Sequence, residues 1–181
     1  VSNYSAAISY IIANQDEIAL NIIENTIQKV DYFNSNEELI PPVKYLLVSL
    51  YLKKNKIKKA NLYIDEALQY IKKQFGDNSD LFIGLNIMYA ESLENNNEEK
   101  NALDIYNNIL NQKTNVKNTE LIIKCFENSS EILKKQNKID NALNMQYELL
   151  KYVNEKSESK SIRPIENIFY EIANLYLESK K

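Results

Sequence analysis

The sequence predicts an all-α protein built from about four helical hairpins and one C-terminal helix. Three observations carry that expectation. The 181 residues include two glycines and three prolines, so the chain is poor in the residues that build turns. Apolar residues recur three, four and seven positions apart, the spacing of one helical face. An Asn followed five residues later by an Ala occurs four times: Asn14 and Ala19, Asn55 and Ala60, Asn97 and Ala102, Asn137 and Ala142.

The anchor alanines are 41, 42 and 40 residues apart, the period of a helical repeat. Nine residues before each stands a large apolar side chain, Tyr10, Tyr51, Leu93 or Leu133. Three before that comes a small or medium one, Ala7, Val48, Ala90 or Ser130. Four after the Ala come Ile23, Ile64, Tyr106 and Gln146, and seven after it Thr26, Ala67, Ile109 and Leu149. After Gly, Asn best tolerates the left-handed conformation that ends a helix, so each Asn is expected to stop the first helix of a hairpin. Each Ala is expected where the two helices must approach closely.

Nine helices follow from this register, at about 3–13, 16–33, 42–54, 57–74, 80–95, 98–112, 118–136, 139–155 and 164–179. Pro41, Pro42 and Pro164 fall at helix starts, where a missing N–H costs nothing. The extra length between hairpins falls in QFGDNSD (74–80), KTNVKN (113–118) and KSESKSIRP (156–164), the last being the most polar and the expected flexible loop. The expectation is one domain with repeats at about 1–40, 41–81, 82–121 and 122–163 and a final helix at 164–181. Lacking an initiator Met and ending abruptly, the chain is expected to be a piece of a longer protein.

These offsets resemble the tetratricopeptide repeat (TPR), whose pattern is W-x2-L-G-x2-Y, then A-x3-F, then Pro. The clearest copy is Lys44-x2-Leu47-Val48-x2-Tyr51 followed by Ala60-x3-Ile64-x2-Ala67, and a fifth first helix is visible as Phe169-x2-Ile172-Ala173-x2-Tyr176. No copy has the family's Trp, Gly or closing Pro, and the fourth has Gln146 in the aromatic slot. The period of about 42 is similar to that of kinesin light chain-type TPRs, as is the turn Gly76-Asp77-Asn78-Ser79-Asp80, although Ser79 and Asp80 stand where that group has His-Pro. The resemblance implies a right-handed α-α superhelix.

Little in the sequence points to chemistry. There is no histidine, which removes the commonest general base and most zinc sites. Gly76 and Gly84 stand alone, so no phosphate-binding loop is present. Glu91 with Glu94, and Glu127 with Glu131, share helix faces but lack a third ligand; they read as a solvated face or a docking face for a basic partner. No catalysis, cofactor or metal is expected.

The partner classes narrow in the same way. The net charge of −3 does not favour nucleic acid or a membrane surface. The run Lys53, Lys54, Lys56, Lys58, Lys59 lacks interleaved arginines and aromatics. Its first two members suit a helix C-terminus. Asn, at 26 residues, and Lys, at 21 against one Arg, fit an AT-rich genome. No apolar run approaches the ~18 residues of a membrane span, and the start VSNYSAAISYIIANQDE lacks a secretory signal's basic segment. The single cysteine, Cys125, reads as a packing residue in a reducing compartment, so a cytoplasmic location is expected. The repeat turns alternate in sign: basic at Lys53 to Lys59, acidic at Glu94, Glu98 and Glu99, basic at Lys134, Lys135 and Lys138. Neighbouring turns are expected to attract.

In TPR proteins particular first-helix positions line an inner groove. The resemblance assigns these to Tyr45, Ser49 and Lys53; Ile87, Glu91, Glu94 and Asn95; Glu127, Glu131 and Lys134; and Tyr170 and Asn174, with Tyr4, Ile8, Ile11, Leu52 and Leu177 in the same register. The basic and Asn residues with which chaperone-binding members hold a carboxylate are replaced by Tyr, Ser, Ile and Glu. The implied function is a non-catalytic scaffold that holds a basic or amphipathic peptide or helix of a partner protein. The alternatives are a peptide-sensing regulatory domain of the bacterial TPR-regulator type and an assembly-factor domain.

Overall fold

One asparagine sets each hairpin turn. The computed structural model describes residues 2–33, 40–156 and 165–180, and among them the only non-glycine residues with positive φ are Asn14 (55°), Asn55 (53°), Asn97 (63°) and Asn137 (57°). The carbonyls left over at the end of the first helix are satisfied there. The N–H of Asn14 donates to Ile11 O at 3.0 Å and that of Gln15 to Tyr10 O at 2.8 Å. The same pair joins Asn55 to Leu52 and Lys56 to Tyr51 at 2.9 and 2.8 Å, and Asn137 to Lys134 and Lys138 to Leu133, both at 2.9 Å. At these three turns this is the Schellman arrangement, and the residue nine before the Ala supplies its outermost acceptor; at the third turn Asn97 N–H donates to Glu94 O at 3.0 Å.

The anchor alanine follows from the same geometry. Its N–H donates to the carbonyl four residues back: Ala19 to Gln15, Ala60 to Lys56, Ala102 to Glu98 and Ala142 to Lys138, at 3.2, 3.1, 3.1 and 3.0 Å. All four alanines are fully buried. The four turns therefore share the positive-φ Asn, the Asn N–H bond to the carbonyl three residues back and the buried, helix-starting Ala. Asn137→Gly should change stability by only a few tenths of a kcal/mol. Asn137→Val should cost about 1–2 kcal/mol, because a β-branched residue is strained at positive φ. Urea unfolding separates the two outcomes.

The described residues form ten helical segments: α1 (Ser2–Ile12), α2 (Asp16–Phe33), α3 (Ile40–Lys53), α4 (Ile57–Ala60), α5 (Ile64–Phe75), α6 (Asp80–Asn95), α7 (Glu99–Leu110), α8 (Thr119–Lys135), α9 (Ile139–Lys156) and α10 (Ile165–Glu178). Boundaries fall within about two residues of those expected, with one correction. The helix expected at 57–74 is two helices. At the junction the bonds tighten from four to three residues, Leu62 N–H to Lys59 O at 3.3 Å and Tyr63 N–H to Ala60 O at 3.0 Å, before α5 resumes. No side chain caps the restart at Tyr63. The Lys44 ammonium lies 5.5 Å from the Tyr63 ring and pairs with Glu66, so α3 holds the restart of the helix at α5.

Local chemistry closes the connections. Gly76 ends α5 with φ 87°, and the Ser79 hydroxyl donates to Gly76 O at 2.7 Å while accepting from the Phe82 N–H of α6 at 3.3 Å. In the 113–118 connection, Val116 is buried and the Asn118 side chain accepts from Glu120 N–H, a cap for α8. Pro41 and Pro42 lie in the first turn of α3. Pro164 and the segment 157–164 lie outside the described residues.

The chain divides into two units, Val1–Asn97 and Glu98–Lys181. In the first, α1 packs on α2, α2 on α3, and α3 on α4, α5 and α6, around Ala7, Ala19, Ile23, Leu47, Val48, Tyr51 and Ala60. In the second, α7 packs on α8, α8 on α9 and α9 on α10. Tyr106, Phe126, Ile132 and Leu149 are buried there, and the Phe126 and Tyr152 rings lie tilted at 6.1 Å.

Turn-to-turn contacts differ from the expected alternation of charge. Within the first unit, Asn55 Oδ1 accepts from Ser92 Oγ at 3.1 Å and Asn96 Nδ2 at 3.0 Å. Within the second, Gln136 Nε2 donates to Glu99 Oε2 at 2.8 Å. Side-chain amides thus make these contacts, to neutral partners at Asn55 and to a carboxylate at Glu99. The lysines of the second turn pair instead with acids just after the first, Lys53 with Asp16 at 2.7 Å and Lys54 with Glu17, and Lys134 pairs with Glu178 of α10 at 3.1 Å. Asp16 and Glu17 also sit in the first turn of α2, where the helix dipole favours carboxylates.

Candidate functional site

The expected groove residues separate by unit. On α3, Tyr45 is half-buried against the core of the first unit. Ser49 gives its hydroxyl to Tyr45 O at 2.9 Å, and Lys53 is held by Asp16. On α6, Ile87 is buried, Glu91 and Glu94 are half-buried and Asn95 is exposed. Ile87 offers no side-chain surface, because α6 packs against α3, α4 and α5 together.

In the second unit α8, α9 and α10 enclose a cleft of about 830 Å³. Of the expected residues, Glu127, Glu131 and Lys134 on α8 and Tyr170 on α10 line it. Asn174 is half-buried and is not part of the lining. Sequence reasoning missed Asn128 and Lys135 on α8, Asn167, Glu171 and Glu178 on α10, and the α9 floor of Gln146, Leu149 and Val153. One sequence signal pointed there, the polar Gln146 in a slot otherwise filled by Ile23, Ile64 and Tyr106.

The cleft is acidic at its rim. Four carboxylates (Glu127, Glu131, Glu171, Glu178) face two lysines, and both lysines are engaged: Lys134 with Glu178 across α8 and α10 at 3.1 Å, Lys135 with Glu131 at 3.3 Å. Such half-exposed pairs contribute little stability, on the order of 0–1 kcal/mol, but they cancel the local cations. Tyr170 is 66% exposed at the rim. Among the described residues no group of His, Cys, Asp and Glu is arranged to hold a metal ion.

A second, smaller hollow of about 190 Å³ in the first unit is lined by residues that include Glu24, Tyr51 and Lys59. Glu24, Tyr51 and Lys59 bond to one another there. The Tyr51 hydroxyl donates to Glu24 Oε1 at 2.6 Å, Lys59 Nζ donates to the same oxygen at 3.1 Å, and Lys59 lies 5.4 Å from the Tyr51 ring. The Tyr51 hydrogen bond, helped by Lys59, holds the Glu24 carboxyl below its ordinary range against the opposing effect of burial. Burial and then the Glu24 contact push the Tyr51 phenol well up. This cluster joins α2 to α3 and α4 and engages the carboxylate and ammonium with each other.

No protein-family model and no curated protein sequence matches the chain. Solved structures do. The nearly identical TPR-like repeats of a Podosopora anserina protein described as a kinesin light chain superpose with a TM-score of 0.69 at 11% identity, covering 99% of this chain and 86% of that one. A single-substitution variant of that protein gives the same score and identity. BtubC (BKLC) from P. vanneervenii matches with a TM-score of 0.68 at 14% identity, over 96% of this chain and 70% of that one. At such identities the likeness speaks for the fold, and it agrees with the four positive-φ asparagines and buried alanines. In fold, the chain is a TPR-like helical-repeat protein.

Proposed function

We propose that this chain is a non-catalytic protein-interaction module and that the cleft between α8 and α10 holds a basic segment of a partner protein. The observation that carries the proposal is the cleft itself. Its volume of about 830 Å³ is of the size that takes ligands rather than a few waters. Its lining combines an apolar floor, an exposed tyrosine and an excess of carboxylates whose nearby lysines are already paired. Apolar and aromatic contact would supply the affinity, and the carboxylates would select a positive charge and speed encounter.

Fluorescence polarisation against a set of short basic, neutral and acidic peptides tests this. The expected result is binding of basic peptides that weakens at least tenfold in a Glu131→Lys/Glu171→Lys variant. Equal affinity of the variant and the parent, or no peptide bound by either, removes the proposal. Both positions are exposed, so the double change should leave the fold intact.

A further inference from the structure

We propose that Gln146 reads the main chain of the bound segment, so that the cleft takes an extended, basic peptide strand rather than the apolar face of a helix. This rests on the reading of the cleft as a partner site and specifies what enters it.

The inference starts from the repeat register. Four residues after the anchor alanines stand Ile23, Ile64, Tyr106 and Gln146. All four are buried, at 2%, 4%, 0% and 6% exposure. Three are apolar and pack as that position demands. The fourth buries a carboxamide, which costs stability unless its donor and acceptor are matched. The Gln146 side chain makes no hydrogen bond with another described residue, and it lines the cleft. Its small remaining exposure therefore opens onto the site.

A second departure from the repeat pattern falls at the same place. Ser130 stands where the other copies have Ala7, Val48 and Ala90, and it too lines the cleft. Its hydroxyl is accounted for, because it donates to Ala142 O at 3.3 Å. Both polar exceptions of the fourth hairpin thus converge on one wall, with the Gln146 amide the group left to a ligand.

The chemistry of that amide selects the occupant. A carboxamide has one acceptor oxygen and an NH2 donor, the complement of a peptide group. A helix laid lengthwise in the cleft would offer no main-chain group along its body, since those N–H and C=O groups bond internally and only the ends are free. An extended strand leaves both free and can pair with Gln146, as main-chain recognition does when peptides bind without folding into a helix. Glu127 on α8 and Glu171 on α10 flank the cleft, so a Lys or Arg beside the recognised peptide group completes the match.

The test uses a basic peptide that the wild-type protein binds, together with copies in which one backbone amide at a time is replaced by an ester. Isothermal titration is run on the wild type and on Gln146→Leu, which restores an apolar residue to the slot. The expected result is about a tenfold or greater loss of affinity in Gln146→Leu together with a raised melting temperature, so that lost binding is not lost folding. One ester position should weaken binding to the wild type by a similar factor and leave binding to Gln146→Leu unchanged. A flat ester scan on the wild-type protein, or a peptide that circular dichroism shows to be helical when bound, overturns the inference even if Gln146→Leu does not fold. If Glu131→Lys/Glu171→Lys still weakens binding while Gln146→Leu does not, the partner site stands and the main-chain contact falls. If no peptide binds the wild type, both fall together.

Discussion

Tyr106→Ala should lower the stability of the protein by about 4 kcal/mol, the cost of emptying a large aromatic site that collapses only partly. Tyr106 is fully buried on α7 and occupies the fourth position after its anchor alanine. Its hydroxyl accepts a hydrogen bond from Asn128 Nδ2 of α8 at 2.9 Å, which links the two helices. Tyr106→Phe keeps the ring and removes the hydroxyl with its polar contacts, and should cost about 1 kcal/mol. Urea unfolding of the two variants separates packing from polar contact. A loss below about 1 kcal/mol for the alanine variant would mean that the site is not the close-packed one described.

Ala142→Leu should cost about 3 kcal/mol, for the opposite reason. The alanine is fully buried and lies where α9 meets α8. Its N–H is spent on Lys138 O at 3.0 Å, and its carbonyl accepts from Ser130 Oγ of α8 at 3.3 Å. A side-chain oxygen one bond beyond Cβ reaches the opposite backbone, so little space is left between the helices. The larger leucine forces them apart or into strained rotamers, the usual penalty of overpacking. Thermal unfolding measures the loss, and a melting temperature equal to the wild type would contradict the close approach.

The parts of the fold that the sequence made legible are those decided locally. A residue at positive φ is selected by its own backbone, so Asn14, Asn55, Asn97 and Asn137 could be picked out without knowing what surrounds them. The anchor alanines follow at a fixed distance because the turn and the first helical hydrogen bond span a fixed number of residues. The break between α4 and α5 was not legible. It coincides with Lys44 of α3 meeting Tyr63 and Glu66, a tertiary contact that periodicity does not encode. The same limit applies to the candidate site. Helical register places Glu127, Glu131 and Lys134 on one face of α8, but only packing brings α9 and α10 beside that face and adds Gln146 and Glu171. Register also gave Ile87 a groove position, and the helices around α6 bury it.

Equivalence of the four hairpins is what the fold, the cleft and its odd glutamine all depend on, and a single matched set of variants measures it. Ala19→Leu, Ala60→Leu, Ala102→Leu and Ala142→Leu are compared by urea unfolding with Ala13→Leu, whose parent residue is exposed beside the first turn. Four losses of about 2 kcal/mol or more, against a change within about 0.5 kcal/mol at the control, are the expected outcome. An anchor position that accepts leucine as readily as Ala13 does would show that its hairpin is built differently from the others.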